Sequence, residues 1–137
     1  MRDAFSIRLA DGDDADAIRD LVTDSKWTGS ATWDWRGAAS SWIVAETGGR
    51  VVGCLTPIPT KPIGHVEHMG LDSSLTGGQR ARVVSLLMAQ ALSLLKRAGC
   101  EAAMTTVPDE LASYVQVLER RGAQVVNHAN VMIKRLV

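Results

Sequence analysis

The stretch His65-Val-Glu-His-Met-Gly-Leu-Asp72 gathers a carboxylate and two imidazoles, and the chain's one tyrosine, Tyr114, lies downstream. A carboxylate or neutral imidazole can take a proton from a nucleophile, and a phenol can give one to a leaving group. In an extended strand Glu67 shares a face with His65 and Met69, whereas His65 and His68 point to opposite faces if the strand is regular. Tyr114 falls with Leu111, Val115 and Leu118 on the buried face of a helix. An ion-paired surface glutamate and a core tyrosine with its hydroxyl at the rim account for the same residues without catalysis. His128 lies in a late turn and reads as solvated. Cys54 and Cys100 are far apart, and no His/Cys/acid cluster has ligand spacing, so no metal is implied. Both thiols read as small buried hydrophobes in a reducing compartment.

The elements that must carry these residues follow from the hydrophobic pattern. Phe5, Ile7 and Leu9 alternate as a short strand, and Asp11 offers a cap to a helix buried through Ala15, Ile18, Leu21 and Val22. Residues 25–41 have no clean period and hold Trp27, Trp33 and Trp35; they are expected to form a loop with a short helical piece. Residues 42–46 and 50–55 form a hairpin across Gly48-Gly49. Pro57, Pro59 and Pro62 then break the chain, and residues 65–72 make a third strand. Residues 73–78 are a two-glycine turn. A long helix follows from about Gln79 to Ala98, with Val84, Leu87, Met88, Ala91 and Leu95 in one stripe and Gly99 as its stop. The apolar run 100–107 suits a central strand covered on both faces. Pro108 starts a last helix that Gly122 ends, and residues 123–127 and 131–136 read as a final strand pair. The order β α (α) β β β α β α β β is that of one α/β (α+β) domain over residues 1–137, with a mixed, mostly antiparallel sheet flanked by helices.

At 137 residues the chain can bury a real core. Fifteen basic and fifteen acidic residues cancel, leaving no net attraction toward nucleic acid or anionic membrane, and a single tyrosine and phenylalanine give no base-stacking platform. The N-terminus lacks an apolar signal core and the apolar stretch 83–95 is too short and polar to span a bilayer, so a cytoplasmic protein is expected.

A strand ending in Gly70-Leu-Asp, a glycine-containing turn and a long Leu-rich helix ending in Arg97-Ala-Gly-Cys100 together resemble the GNAT N-acetyltransferases. The resemblance extends in element order over nearly the whole chain, including a last helix closing in Glu119-Arg-Arg-Gly122. It implies acyl transfer, by acetyl-CoA as co-substrate, to an amine acceptor that attacks the thioester directly.

In that family the loop before the long helix reads roughly Gln/Arg-x-x-Gly-x-Gly/Ala and holds the pyrophosphate of coenzyme A on helix N-terminal amides. Counting from Asp72 places the six positions on Thr76-Gly-Gly-Gln-Arg-Ala81; counting back from the helix places them on Gln79 to Val84. The first register is preferred because the strand fixes the loop that leaves it. It implies pyrophosphate contacts from Gly77, Gly78 and the amides of Gln79, Arg80 and Ala81, with Arg80 and Arg82 adding charge. Met69, Gly70 and Leu71 would pair with the pantetheine arm, Gly70 marking a bulge or close backbone approach. Glu67 takes the place of the family's base. Leu118 stands where the family carries its acid tyrosine, which leaves Tyr114, one turn earlier, as the acid candidate, and Leu111 stands near the family's asparagine. Trp27, Trp33 and Trp35 fall where the acceptor pocket is built. The departures also fit a catalytically inactive GNAT-like binding or accessory domain, for example of a phage or mobile element; a homodimer is compatible with either reading.

Overall fold

The computed structural model describes residues 4–23, 42–107 and 112–128. Five strands, β1 (Ser6–Leu9), β2 (Ile43–Thr47), β3 (Arg50–Ile58), β4 (Ile63–Leu71) and β5 (Ala102–Met104), form one sheet in the order β1-β2-β3-β4-β5. The first four are antiparallel and β5 joins β4 in parallel. The helices are α1 (Ala15–Thr23), α2 (Gly77–Arg97) and α3 (Ala112–Arg120). This is the mixed α/β architecture the pattern predicts. Trp27, Trp33, Trp35, Leu111 and residues 131–136 lie outside the described residues.

Two cores sandwich the sheet. On one face Val83, Val84, Leu87, Met88, Ala91 and Leu95 of α2 pack on Ile43, Ala45, Leu55, Val66 and Met69, and Tyr114, Val117 and Leu118 of α3 close over them. On the other face Ala15, Ile18, Leu21 and Val22 of α1 meet Trp42, Val44 and Cys54. Each large aliphatic side chain fully buried in this way contributes about 1.5–3 kcal/mol. The α1 end is pinned by charge. Arg8 makes a bidentate pair with Asp14, at 2.7 and 2.9 Å, and reaches Glu46 at 3.3 Å. The Asp14 carboxylate also accepts the Asp11 amide at 2.9 Å, closing a capping box ahead of α1.

Four expectations need correction. β3 runs through Pro57 to Ile58. Its β2 ladder stops at Leu55, so Pro57 sits where β3 keeps a single neighbour and a missing amide is tolerated. The second is the start of α2, which begins at Gly77, not Gln79: Thr76 is its N-cap, and Gly77-Gly78 form its first turn. The apolar run 100–107 yields only three strand residues, all exposed, at an edge among the described residues. Cys100 is consumed by the α2 C-cap, its amide donating to Leu95 O while Gly99, at φ 93°, donates to Lys96 O. At the other end Thr105 turns its hydroxyl onto Val66 O at 2.8 Å. Finally, residues 123–127 carry no strand and are exposed. The cap of α3, with Gly122 at φ 93° and Ala123 donating to Leu118 O, leads into them. Cys54 is buried as expected, whereas Cys100 is only partly so.

Candidate functional site

β4 carries the site because its geometry breaks twice. Cys54 pairs with Gly70 and Thr56 with Glu67, so His68 and Met69 together oppose the single residue Leu55. This is a β-bulge, and His68 takes the left-handed conformation at φ 57°. The bulge shifts the alternation. Gly64 and Val66 face α2, as does Met69, while Gly70 faces Leu21 of α1. Glu67 and His68 therefore point consecutively to the α1 face, where His68 stacks on Trp42. The regular-strand expectation that His65 and His68 oppose each other is corrected: His65, Glu67 and His68 share that face.

The second break separates β4 from β5. Their ladder covers three pairs, ending at His65–Met104. Past that point the strands diverge, and Thr105 bridges back to Val66 O. A cleft opens in the divergence, lined by Val66, Glu67 and Met69 of β4, Val84 and Met88 of α2, Thr105, and Tyr114 and Leu118 of α3. Its cavity of about 10 Å³ has room for roughly one water molecule. Glu67 and Tyr114, predicted from distant parts of the sequence, both border this cleft, Tyr114 from the α2 face and Glu67 from β4 with its side chain turned to the α1 face. Burial pushes the Glu67 carboxyl above the usual carboxylate range, and His65, whose Nδ1 lies 3.8 Å from Oε1, pulls weakly the other way. A raised value suits a base that must work near neutrality. Burial holds the His68 imidazole below its ordinary value, favouring the neutral ring.

The loop between β4 and α2 is built from its own side chains. Asp72 accepts the Ser74 amide at 2.8 Å and pairs with Arg50 at 2.7 Å; the Ser74 bonds, above all, hold its carboxyl below the usual range. Thr76 Oγ1 accepts the Gln79 amide, and Gln79 Oε1 accepts the Thr76 amide at 2.8 Å. The Arg80 amide donates to Thr76 O at 2.9 Å. Its guanidinium folds back onto Leu75 O and Ser73 O, each at 3.2 Å. Of the predicted anion ligands, the amides of Gln79, Arg80 and Ala81 are therefore engaged within the turn and helix, and Arg80 braces the loop. Gly77 and Gly78 remain at the helix start with open space around both, since a Cβ added at either would touch nothing within 4 Å. Arg82 is exposed on the next turn.

Met69 lines the cleft and Leu71 packs on the α2 core. Gly70 does make a close approach, but to α1: an added Cβ would lie 2.8 Å from the Leu21 carbonyl carbon. The expected strand irregularity falls instead at His68. Val84 and Met88 were expected only as core of the long helix, and Thr105 was not singled out by sequence. Thr105-Thr106, two hydroxyls interrupting an apolar run, are the signal that β5 leaves the sheet there.

A mixed sheet split between a bulged antiparallel strand and a short parallel one, with a helix N-terminus following the bulged strand, defines a class of small α/β proteins built around an opening in the sheet. The chain belongs to the acetyltransferase (GNAT) family, whose model matches residues 10–123. Solved structures share the fold. A transcriptional regulator from Bacillus halodurans C-125 is 18% identical, with a TM-score of 0.76 over 96% of this chain and 100% of that one. The aminoglycoside N-acetyltransferase AAC(6')-Iy, in complex with CoA, is 15% identical, with a TM-score of 0.76 over 98% and 97%. Rv2747 from Mycobacterium tuberculosis, in complex with CoA, is 18% identical, with a TM-score of 0.74 over 93% and 76%. Among curated proteins none is similar enough in sequence to count as a relative. No helix among the described residues is long and apolar enough to cross a membrane.

Proposed function

We propose that the protein transfers the acetyl group of acetyl-CoA to an amine. Family membership supports the reaction class, and one observation carries the assignment of residues: Glu67 and Tyr114 border, from its two sides, the cleft where β4 and β5 part. Glu67, directly or through a water, takes a proton from the acceptor ammonium. The free amine attacks the thioester carbonyl carbon, the N–C bond forms and the C–S bond breaks. The departing thiolate takes its proton from the Tyr114 hydroxyl, and the second proton that the attacking nitrogen sheds as the amide forms returns through water to the Tyr114 phenolate. Gly77 and Gly78 present the α2 N-terminus to the pyrophosphate, with Arg82 as a nearby cation, and their open surroundings fit a bulky anion. Met69, Gly70 and Leu71 offer the strand along which the pantetheine arm would lie. CoA in two of the similar structures is consistent with this co-substrate.

Steady-state kinetics of Glu67→Gln and Tyr114→Phe test the roles. Loss of turnover with unchanged acetyl-CoA affinity supports them, and wild-type rates in both variants would refute them.

A second reading, a GNAT-shaped domain that binds a partner without catalysis, is favoured by the self-satisfied loop, in which Gln79 and Arg80 serve their own turn, and by the narrow cleft. Binding of acetyl-CoA separates the two.

A further inference from the structure

Seven large hydrophobic side chains are exposed among the described residues, and three of them, Ile58, Ile63 and Met104, lie together around His65. Register places them. Ile58 is the β3 partner of His65, and Met104 its β5 partner, so the three form one row across adjacent strands. Ile63 is two residues before His65 on the same face of β4. This is the face on which Glu67 and His68 emerge, and Thr56, the β3 partner of Glu67, is buried beside them. Glu67 is the one carboxylate within β3, β4 and β5. An apolar platform thus adjoins a single half-buried acid; of the other ion-paired acids near the sheet, Asp14 and Glu46 are held by Arg8 and Asp72 by Arg50.

We infer that the acceptor is a small monoamine carried on an apolar body. Its ammonium meets Glu67 while its alkyl or aryl group covers Ile58, Ile63 and Met104. A polycation gains little against these strands, because each further ammonium would be stripped of water against aliphatic carbon with no second carboxylate within β3, β4 and β5 to receive it. The inference rests on the acetyltransferase reading and names the acceptor class of that site.

The test measures CoA release with acetyl-CoA and two amine sets: hexylamine, phenethylamine and tryptamine against spermidine and kanamycin. The expected result is a higher kcat/KM for the apolar monoamines. Ile58→Ala and Met104→Ala should each raise KM for phenethylamine about fivefold or more, with acetyl-CoA affinity and thermal melts unchanged. Ile58→Asp should shift preference toward spermidine. Acetyl-CoA turnover that favours the polyamines, or a KM for phenethylamine indifferent to both alanine variants, overturns the inference and leaves the acetyltransferase intact. Acetyl-CoA binding without transfer to any monoamine overturns it as well. Absence of acetyl-CoA binding overturns the acetyltransferase reading itself.

Discussion

The His68 imidazole lies on the Trp42 indole with ring centroids 5.7 Å apart and planes inclined by 25°. The stack fastens a residue at φ 57° and so fixes the bulge that turns Glu67 and His68 to one face. His68→Val, a β-branched residue at that φ, should destabilise the fold by about 2 kcal/mol through lost stacking and backbone strain. Chemical denaturation checks this. His68→Gln, which keeps a planar polar group, should cost less.

The same imidazole sets a pH dependence. Its native value lies below the ordinary 6.5, so the unfolded chain takes up the proton first as pH falls. Stability should therefore decline as pH drops through 6.5 and level off below the native value. Melting temperatures across that range should show a slope in the wild type that is reduced in His68→Gln.

At Glu67 the direction is opposite. Its native value is raised by burial, so the carboxylate that the proposed mechanism needs forms at higher pH than an ordinary one. The acidic limb of the kcat/KM profile should rise at a pH above the ordinary carboxylate value of 4.5. Glu67→Gln should lower kcat/KM by about 10²–10⁴-fold and remove that limb.

Gly70 has no room for a side chain. Gly70→Ala places a Cβ 2.8–2.9 Å from the Leu21 backbone and should cost about 2–3 kcal/mol, read from the denaturation midpoint. A near-neutral result would show that α1 can slide away from β4.

Much of this was legible in sequence. Period and capping residues placed α1, with Asp11 ahead of it, and Gly48-Gly49 placed the β2–β3 hairpin. Glu67 and Tyr114 were both named, and both border the cleft between β4 and β5. What sequence did not show was decided by contacts it does not encode locally. The helix start moved to Gly77 because Thr76 and Gln79 cap each other, an exchange invisible to a rule that treats paired glycines as a turn. β5 shrank because the α2 cap takes Cys100 and Val66 O takes the Thr105 hydroxyl. The bulge at His68 breaks an alternation that the residues themselves leave unmarked, and Gly70, which looked like the irregular position, is small because α1 leans on it.

The helix start offers one further check on stability. Thr76→Ala removes the acceptor for the Gln79 amide and should cost about 1 kcal/mol. It should also free the Gln79 side chain, so any change in acetyl-CoA affinity would report how far the capping box competes with the ligand.

The central claim, that this fold holds acetyl-CoA at the α2 N-terminus, is tested most directly by calorimetric titration of the wild type and of Gly77→Trp with acetyl-CoA. The indole would occupy the open space at the first helical turn. Micromolar binding by the wild type, abolished in a variant that melts normally, is the predicted result. No heat and no thermal shift at millimolar acetyl-CoA would contradict it.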